Sequence, residues 1–90
     1  MYTKQTTVLN RSGLHARPAS DFILEAKKYT SSVTIKKADA NKDPVNAKSI
    51  ARLLSQGIVQ GDVIEIAAEG DDEQAAVDSL IALVETGFGE

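Results

Sequence analysis

The residues able to do chemistry in this chain cluster in one stretch, NRSGLHARPAS at positions 10–20. It holds the only histidine, His15, followed at once by Ala16, Arg17 and Pro18. Histidine ordinarily titrates near neutrality, so one of its ring nitrogens can be free to attack an electrophile. Proline fits a helix only in the first turn, where its missing N–H costs nothing, so Pro18 places a helix start close to His15. Such a start offers unpaired backbone N–H groups and the positive end of the macrodipole, both of which favour an anion. The guanidinium of Arg17 adds donors matched to phosphate oxygens. Together these features suit a histidine that accepts a phosphoryl group. The competing structural reading, a capping or surface histidine without chemistry, stays open on spacing alone.

Other chemistries find little support. The serines at 12, 20, 31, 32, 55 and 79 have no second histidine with which to build a triad. Neither a Walker A nor a GxGxxG pattern is present, so no nucleotide cradle is expected. The absence of cysteine excludes disulfide and thiolate chemistry, and a lone histidine argues against a structural zinc site. We expect no cofactor and no metal. No apolar run approaches the roughly 18–20 residues that cross a bilayer, and the start MYTKQTT lacks the apolar centre of a signal peptide. A cytoplasmic location without membrane insertion is the expectation.

The net charge of −3 gives no whole-domain argument for nucleic-acid binding. Charge is unevenly spread, however. Arg11, Arg17, Lys27, Lys28, Lys36 and Lys37 lie in the first half, whereas residues 62–90 carry acids and no Lys or Arg. A solvated acidic helix with scattered lysines accounts for this. A basic face around His15 that meets an acidic partner is the sharper alternative.

Ninety residues make one domain, spanning 1–90, with one modest core. Residues 2–9, rich in Thr and Val, read as a first strand. The helix that carries Pro18 runs over 16–28, with Ala19, Phe22, Ile23 and Ala26 in one apolar stripe. Residues 33–38 alternate as a strand with Val33 and Ile35 inward, 39–44 form a polar turn, and 45–47 return as a short strand. Ser49 is an N-cap candidate for a helix over 50–55, closed by Gly57. Residues 63–68, VIEIAA, form a strand with Ile64 and Ile66 on one face. Asp71, Asp72 and Glu73 open a last helix by charge, with Ala76, Leu80, Leu83 and Val84 inward and Gly87 ending it. Tyr29 and Phe88 are expected to pack against the sheet or its edge. The order β-α-β-β-α-β-α indicates an α+β layer fold.

On these residues the chain resembles HPr, the histidine-containing phosphocarrier family of the bacterial phosphoenolpyruvate-dependent sugar phosphotransferase system. The resemblance covers nearly the whole chain. It rests first on Gly13-Leu14-His15-Ala16-Arg17-Pro18-Ala19 after a first strand, and second on Asn46-Ala47-Lys48-Ser49-Ile50, which is similar to the regulatory serine region of the Gram-positive type. It implies an open-faced β-sandwich, a four-stranded antiparallel sheet with three helices on one face. It also implies a phosphocarrier rather than an enzyme. His15 would accept phosphate on Nδ1 from Enzyme I and pass it to IIA domains of sugar permeases, with Arg17 stabilising the phosphate. Ser49 would be the site of an HPr kinase/phosphorylase, linking the chain to a catabolite-control transcription factor. A monomer is expected. The alternative is a regulatory paralogue that acts through Ser49 in carbon catabolite control without sugar-transport flux. The second helix, with Arg52 and Gln56, reads as a more polar docking face than the family commonly shows.

Overall fold

The computed structural model describes residues 1–39 and 41–90. The elements follow the expected order: β1 (Tyr2–Thr7), α1 (Ala16–Ala26), β2 (Ser32–Lys37), β3 (Val45–Asn46), α2 (Ile50–Ser55), β4 (Val63–Glu69), α3 (Glu73–Glu85) and a 3-10 turn (Gly87–Gly89). The turn expected over 39–44 runs through residue 40, which lies outside the described residues. The strands form one antiparallel sheet in the order β1-β4-β2-β3. With the three helices this is the open-faced sandwich the resemblance implies.

Period-two alternation decides which face of the sheet is covered. In β4, Ile64, Ile66 and Ala68 point into the core while Val63, Glu65 and Glu69 do not; in β2, Val33 and Ile35 do the same. The helices complete that core. The stripe of α1, with Ala19, Phe22, Ile23 and Ala26, is buried as the spacing predicts. Alone, an eleven-residue helix would be marginal in water. Fully burying a side chain such as Phe22 contributes roughly 1.5–3 kcal/mol, and this packing sustains the helix.

Several boundaries shift. The first strand ends at Thr7 rather than residue 9, because Val8 turns its backbone toward the β4 approach, bonding Asp62 and Gly61. The first helix ends at Ala26, two residues short of the expectation. In α3 the inner stripe is Ala76, Val77, Leu80, Ile81 and Val84, while Leu83 is only half-buried. The helix turns the row of Val77 and Ile81, next to the one that holds Leu83, toward the core. Tyr29 and Phe88 pack against the core edge as expected.

The start of α3 also differs in its chemistry. Asp72 is the N-cap residue but makes no side-chain cap bond. Its carboxylate instead accepts the backbone N–H groups of Thr30 (2.9 Å) and Ser31 (3.0 Å) and both their hydroxyls, so it stitches the α1–β2 turn to α3. The Ser31 hydroxyl foremost, then the Thr30 amide, hold the Asp72 carboxyl down at about 2.

Candidate functional site

His15 lies where Pro18 predicts it, as the N-cap residue of α1, in an extended conformation (φ −128°, ψ 164°). Its side chain is half-exposed and makes no cap hydrogen bond. No acidic residue stands in the first turn of α1. The amides at the head of this helix have no intrahelical acceptor, and neither the cap side chain nor a carboxylate within the turn neutralises the positive dipole end. Arg17 is exposed in the same turn. The ion pairs among the described residues are Met1–Glu73, Lys4–Asp78, Lys28–Glu25 and Lys37–Asp62, which leaves Arg17 out. An imidazole, outward backbone donors and an uncommitted guanidinium therefore share one helical turn.

Two features hold this turn in place. Gly13 has φ +65°, and a β-carbon there would lie 2.6 Å from the Ile58 carbonyl oxygen and 2.8 Å from Val59 Cα, so glycine is the residue that fits. Leu14 then donates its N–H to the Ile58 carbonyl (3.1 Å) and buries its side chain completely. On the other side of His15, Pro18 and Ala19 are buried. Between these anchors Ala16 adopts φ +53°, a left-handed conformation that costs a non-glycine residue roughly 1–2 kcal/mol. Burial of Leu14 alone contributes about as much or more. The anchors thus enforce the strained step, and the strain sets the direction in which the chain leaves His15.

Upstream, Asn10 organises the turn. It is 3% exposed; its Nδ2 donates to the Gly13 carbonyl (2.8 Å), and the Gly13 N–H donates back to the Asn10 carbonyl (3.2 Å). Glu90 closes over the same turn, accepting from the Ser12 N–H (3.0 Å) and hydroxyl (2.8 Å). An open depression of about 540 Å³ lies here, bordered by Leu9, Arg11, Gln60 and Glu90. Neither the strain at Ala16 nor the reach of Glu90 back to Ser12 has a sequence signal: alanine is an ordinary helix former, and the second contact joins residues 78 apart.

Ser49 caps α2, its Oγ accepting the Arg52 N–H at 3.3 Å, as its position ahead of Ile50 predicts. It is not tied directly to the His15 turn by any hydrogen bond among the described residues. Two apolar residues of α2, Ile50 (45% exposed) and Leu54 (42%), stand in the open, as does Leu24 of α1 (62%). Ser20, Ile23, Leu24 and Ile50 line an apolar depression where the two helices meet. Arg52 is exposed and Gln56 half-buried, so the polar positions sit next to this apolar face and do not replace it. Lys48, adjacent to Ser49, donates its ammonium to the Tyr29 carbonyl (2.7 Å) just past the end of α1, a role its sequence position did not signal.

Comparison with known proteins decides the family. The family model described as "PTS HPr component phosphorylation site" matches residues 2–86. The chain belongs to the HPr family. It is 38% identical over 86 residues to the phosphocarrier protein HPr of Haemophilus influenzae, covering 96% of this chain and 98% of that one. It is 47% identical over 85 residues to the HPr-like protein Crh of Halalkalibacterium halodurans, covering 94% and 98%. It also matches a multiphosphoryl transfer protein of H. influenzae at 39% identity over 83 residues, which is 92% of this chain and 17% of that protein. In three dimensions it superimposes on the crystal structure of HPr-C-His from Thermoanaerobacter tengcongensis with a TM-score of 0.93 and 42% identity, over 100% and 98% of the two chains. The HPr fold and the phosphocarrier family are thereby established. No helix among the described residues is long and apolar enough to cross a membrane.

Proposed function

We propose that this HPr relays a phosphoryl group from Enzyme I to IIA domains of sugar permeases through His15, in the cytoplasm and as a monomer. The observation that carries the reading is the half-exposed imidazole of His15 at the acid-free head of α1, with no side-chain cap bond, in the same turn as Arg17, which has no ion-pair partner among the described residues. A neutral ring nitrogen attacks the phosphorus of the donor; the N–P bond forms as the bond to the donor's leaving group breaks. The group then carries nearly two negative charges, which the helix-end amides and Arg17 offset. The open position lets a second acceptor reach the same phosphorus and reverse the exchange. The protein is itself the modified species and turns over no small substrate alone.

The exposed apolar strip of Leu24 and Ile50, where α1 meets α2, supports docking of Enzyme I and IIA domains there, through an interface at the small end of the specific range. Ser49 sits at the edge of that strip, and we assign it the regulatory phosphorylation, by an HPr kinase/phosphorylase, that would tune partner choice, including a catabolite-control transcription factor. The test is incubation with phosphoenolpyruvate, with and without Enzyme I. Acid-labile phosphate on His15 that requires Enzyme I supports the relay, and its absence overturns it. A single species of about 10 kDa by light scattering supports the monomer; a 20 kDa species overturns it.

The similarity to the HPr-like protein Crh favours the second reading, a regulatory protein acting through Ser49 without sugar flux. Phosphoserine in the absence of any phosphohistidine would establish it.

A further inference from the structure

We propose that Asp62 is a positioning residue for transfer at His15: its carboxylate fixes the loop on which the His15 turn rests, an inference that depends on the relay reading above. One carboxylate oxygen, Oδ2, accepts the Val59 N–H at 2.9 Å, and the Asp62 N–H donates back to the Val59 carbonyl at 3.1 Å. Two reciprocal bonds thus close residues 59–62 into a turn. The ammonium of Lys37, the last residue of β2, stands 3.2 Å from the same oxygen, and both side chains are 27% exposed. The Val59 amide foremost, with Lys37 behind it, holds the Asp62 carboxyl below the usual range, so the acceptor is ionised at neutral pH.

This loop is laced to the segment that leads into His15. The Asp62 carbonyl accepts the Val8 N–H (2.9 Å), the Gly61 N–H donates to the Val8 carbonyl (2.8 Å), and Gln60 Nε2 donates to the Leu9 carbonyl (2.9 Å). At the far end the Ile58 carbonyl accepts the Leu14 N–H (3.1 Å). Gly13 approaches Val59 so closely that no β-carbon fits between them. Val59 is therefore held by Asp62 through its N–H and meets Gly13 at its Cα, while its neighbour Ile58 carries Leu14, the residue joined directly to His15. Releasing the Val59 N–H frees the support under Gly13 and Leu14, and the displacement reaches the imidazole through one peptide unit. Docking is spared, because Asp62 lies outside the depression lined by Ser20, Ile23, Leu24 and Ile50. The effect thus falls on the aim of the reacting nitrogen rather than on binding of the partner.

The experiment compares Asp62→Ala and Asp62→Asn as acceptors from Enzyme I, at a temperature where both are folded. Asp62→Ala removes the acceptor oxygen. Its kcat should fall roughly fivefold, a fraction of the about 100-fold that a full ångström of misplacement costs, with KM within about twofold of the parent's. Asparagine keeps an oxygen that accepts the Val59 N–H and loses only the charge facing Lys37. A partly exposed ion pair contributes little, so Asp62→Asn should recover most of the loss. Hydrogen exchange supplies a readout that a general loss of stability would not give: in Asp62→Ala the Leu14 amide should exchange about tenfold faster relative to the β4 amides. Equal acceleration of Leu14 and β4, a rise in KM in place of the fall in kcat, or an Asp62→Asn protein as slow as Asp62→Ala overturns the proposal. An unchanged Leu14 amide overturns it whatever His15 does. If the Leu14 amide responds and the parent takes no phosphate from Enzyme I, the relay has failed and positioning by Asp62 falls with it.

Discussion

Gly13 lies so close to Ile58 that an added β-carbon would stand 2.6 Å from the Ile58 carbonyl oxygen, and this contact fixes the level at which His15 emerges. The oxygen is already engaged by the Leu14 N–H, so neither side can retreat without breaking a bond. Gly13→Ala should therefore lower stability by about 2 kcal/mol or more, combining the left-handed cost with the clash. For a domain of this size that is a fall in Tm of roughly 10 °C, read by thermal melting. Phosphoryl acceptance should fall as well, because the backbone must shift two residues before His15. An unchanged melt would show that the close approach relaxes at no cost.

Arg17 is exposed and outside the ion-pair network, so its removal should cost the fold little. We expect Arg17→Ala to melt within about 0.5 kcal/mol of the parent while slowing phosphoryl transfer both from Enzyme I and to a IIA domain. His15→Ala should abolish both. Stopped-flow transfer rates equal to the parent's would remove Arg17 from the mechanism.

Ser49 can be divided into a structural and an electrostatic role. Its hydroxyl caps α2, so Ser49→Ala should lose about 1 kcal/mol of stability with transfer rates retained. Aspartate is an equally good cap, so Ser49→Asp should melt like the parent. Its added charge beside Ile50 and Leu54 should slow phosphorylation by Enzyme I. If Enzyme I phosphorylates Ser49→Asp at the parental rate, charge at this position does not act through docking.

Asp72 links α3 to the α1–β2 turn and makes stability depend on acid. Its folded value of about 2 lies below the ordinary unfolded value near 3.9. The unfolded chain therefore binds the proton first as pH falls. The contribution is fully present above about pH 4 and is lost as pH drops toward 2. Asp72→Asn should melt lower than the parent at pH 6, with the gap narrowing between pH 4 and pH 2. A gap that stays constant over that interval would mean that the ionised carboxylate is not what holds Ser31 and Thr30. Gly70→Ala offers an independent probe, since a β-carbon there would lie 2.8 Å from Ser31 Cα and push the same turn away.

The sequence by itself determined the element order, the inner faces of α1, β2 and β4, the position of His15 at a helix start and the cap at Ser49. Each follows from a local rule: the 3.6- and two-residue periods, the restriction on Pro18, and the preference of serine for an N-cap. Tertiary structure decided what joins distant segments. Leu83 gave up full burial to Val77 and Ile81 because the rotation of a helix is set by what it packs on. Asp72 left the head of its own helix for donors 41 and 42 residues away, and Lys48 crossed to the end of α1. Gly13 against Ile58, the left-handed Ala16 and the grip of Glu90 on Ser12 are of the same kind. Such features arise only when separate segments compete for the same space and the same donors, and a local pattern cannot report the outcome of that competition.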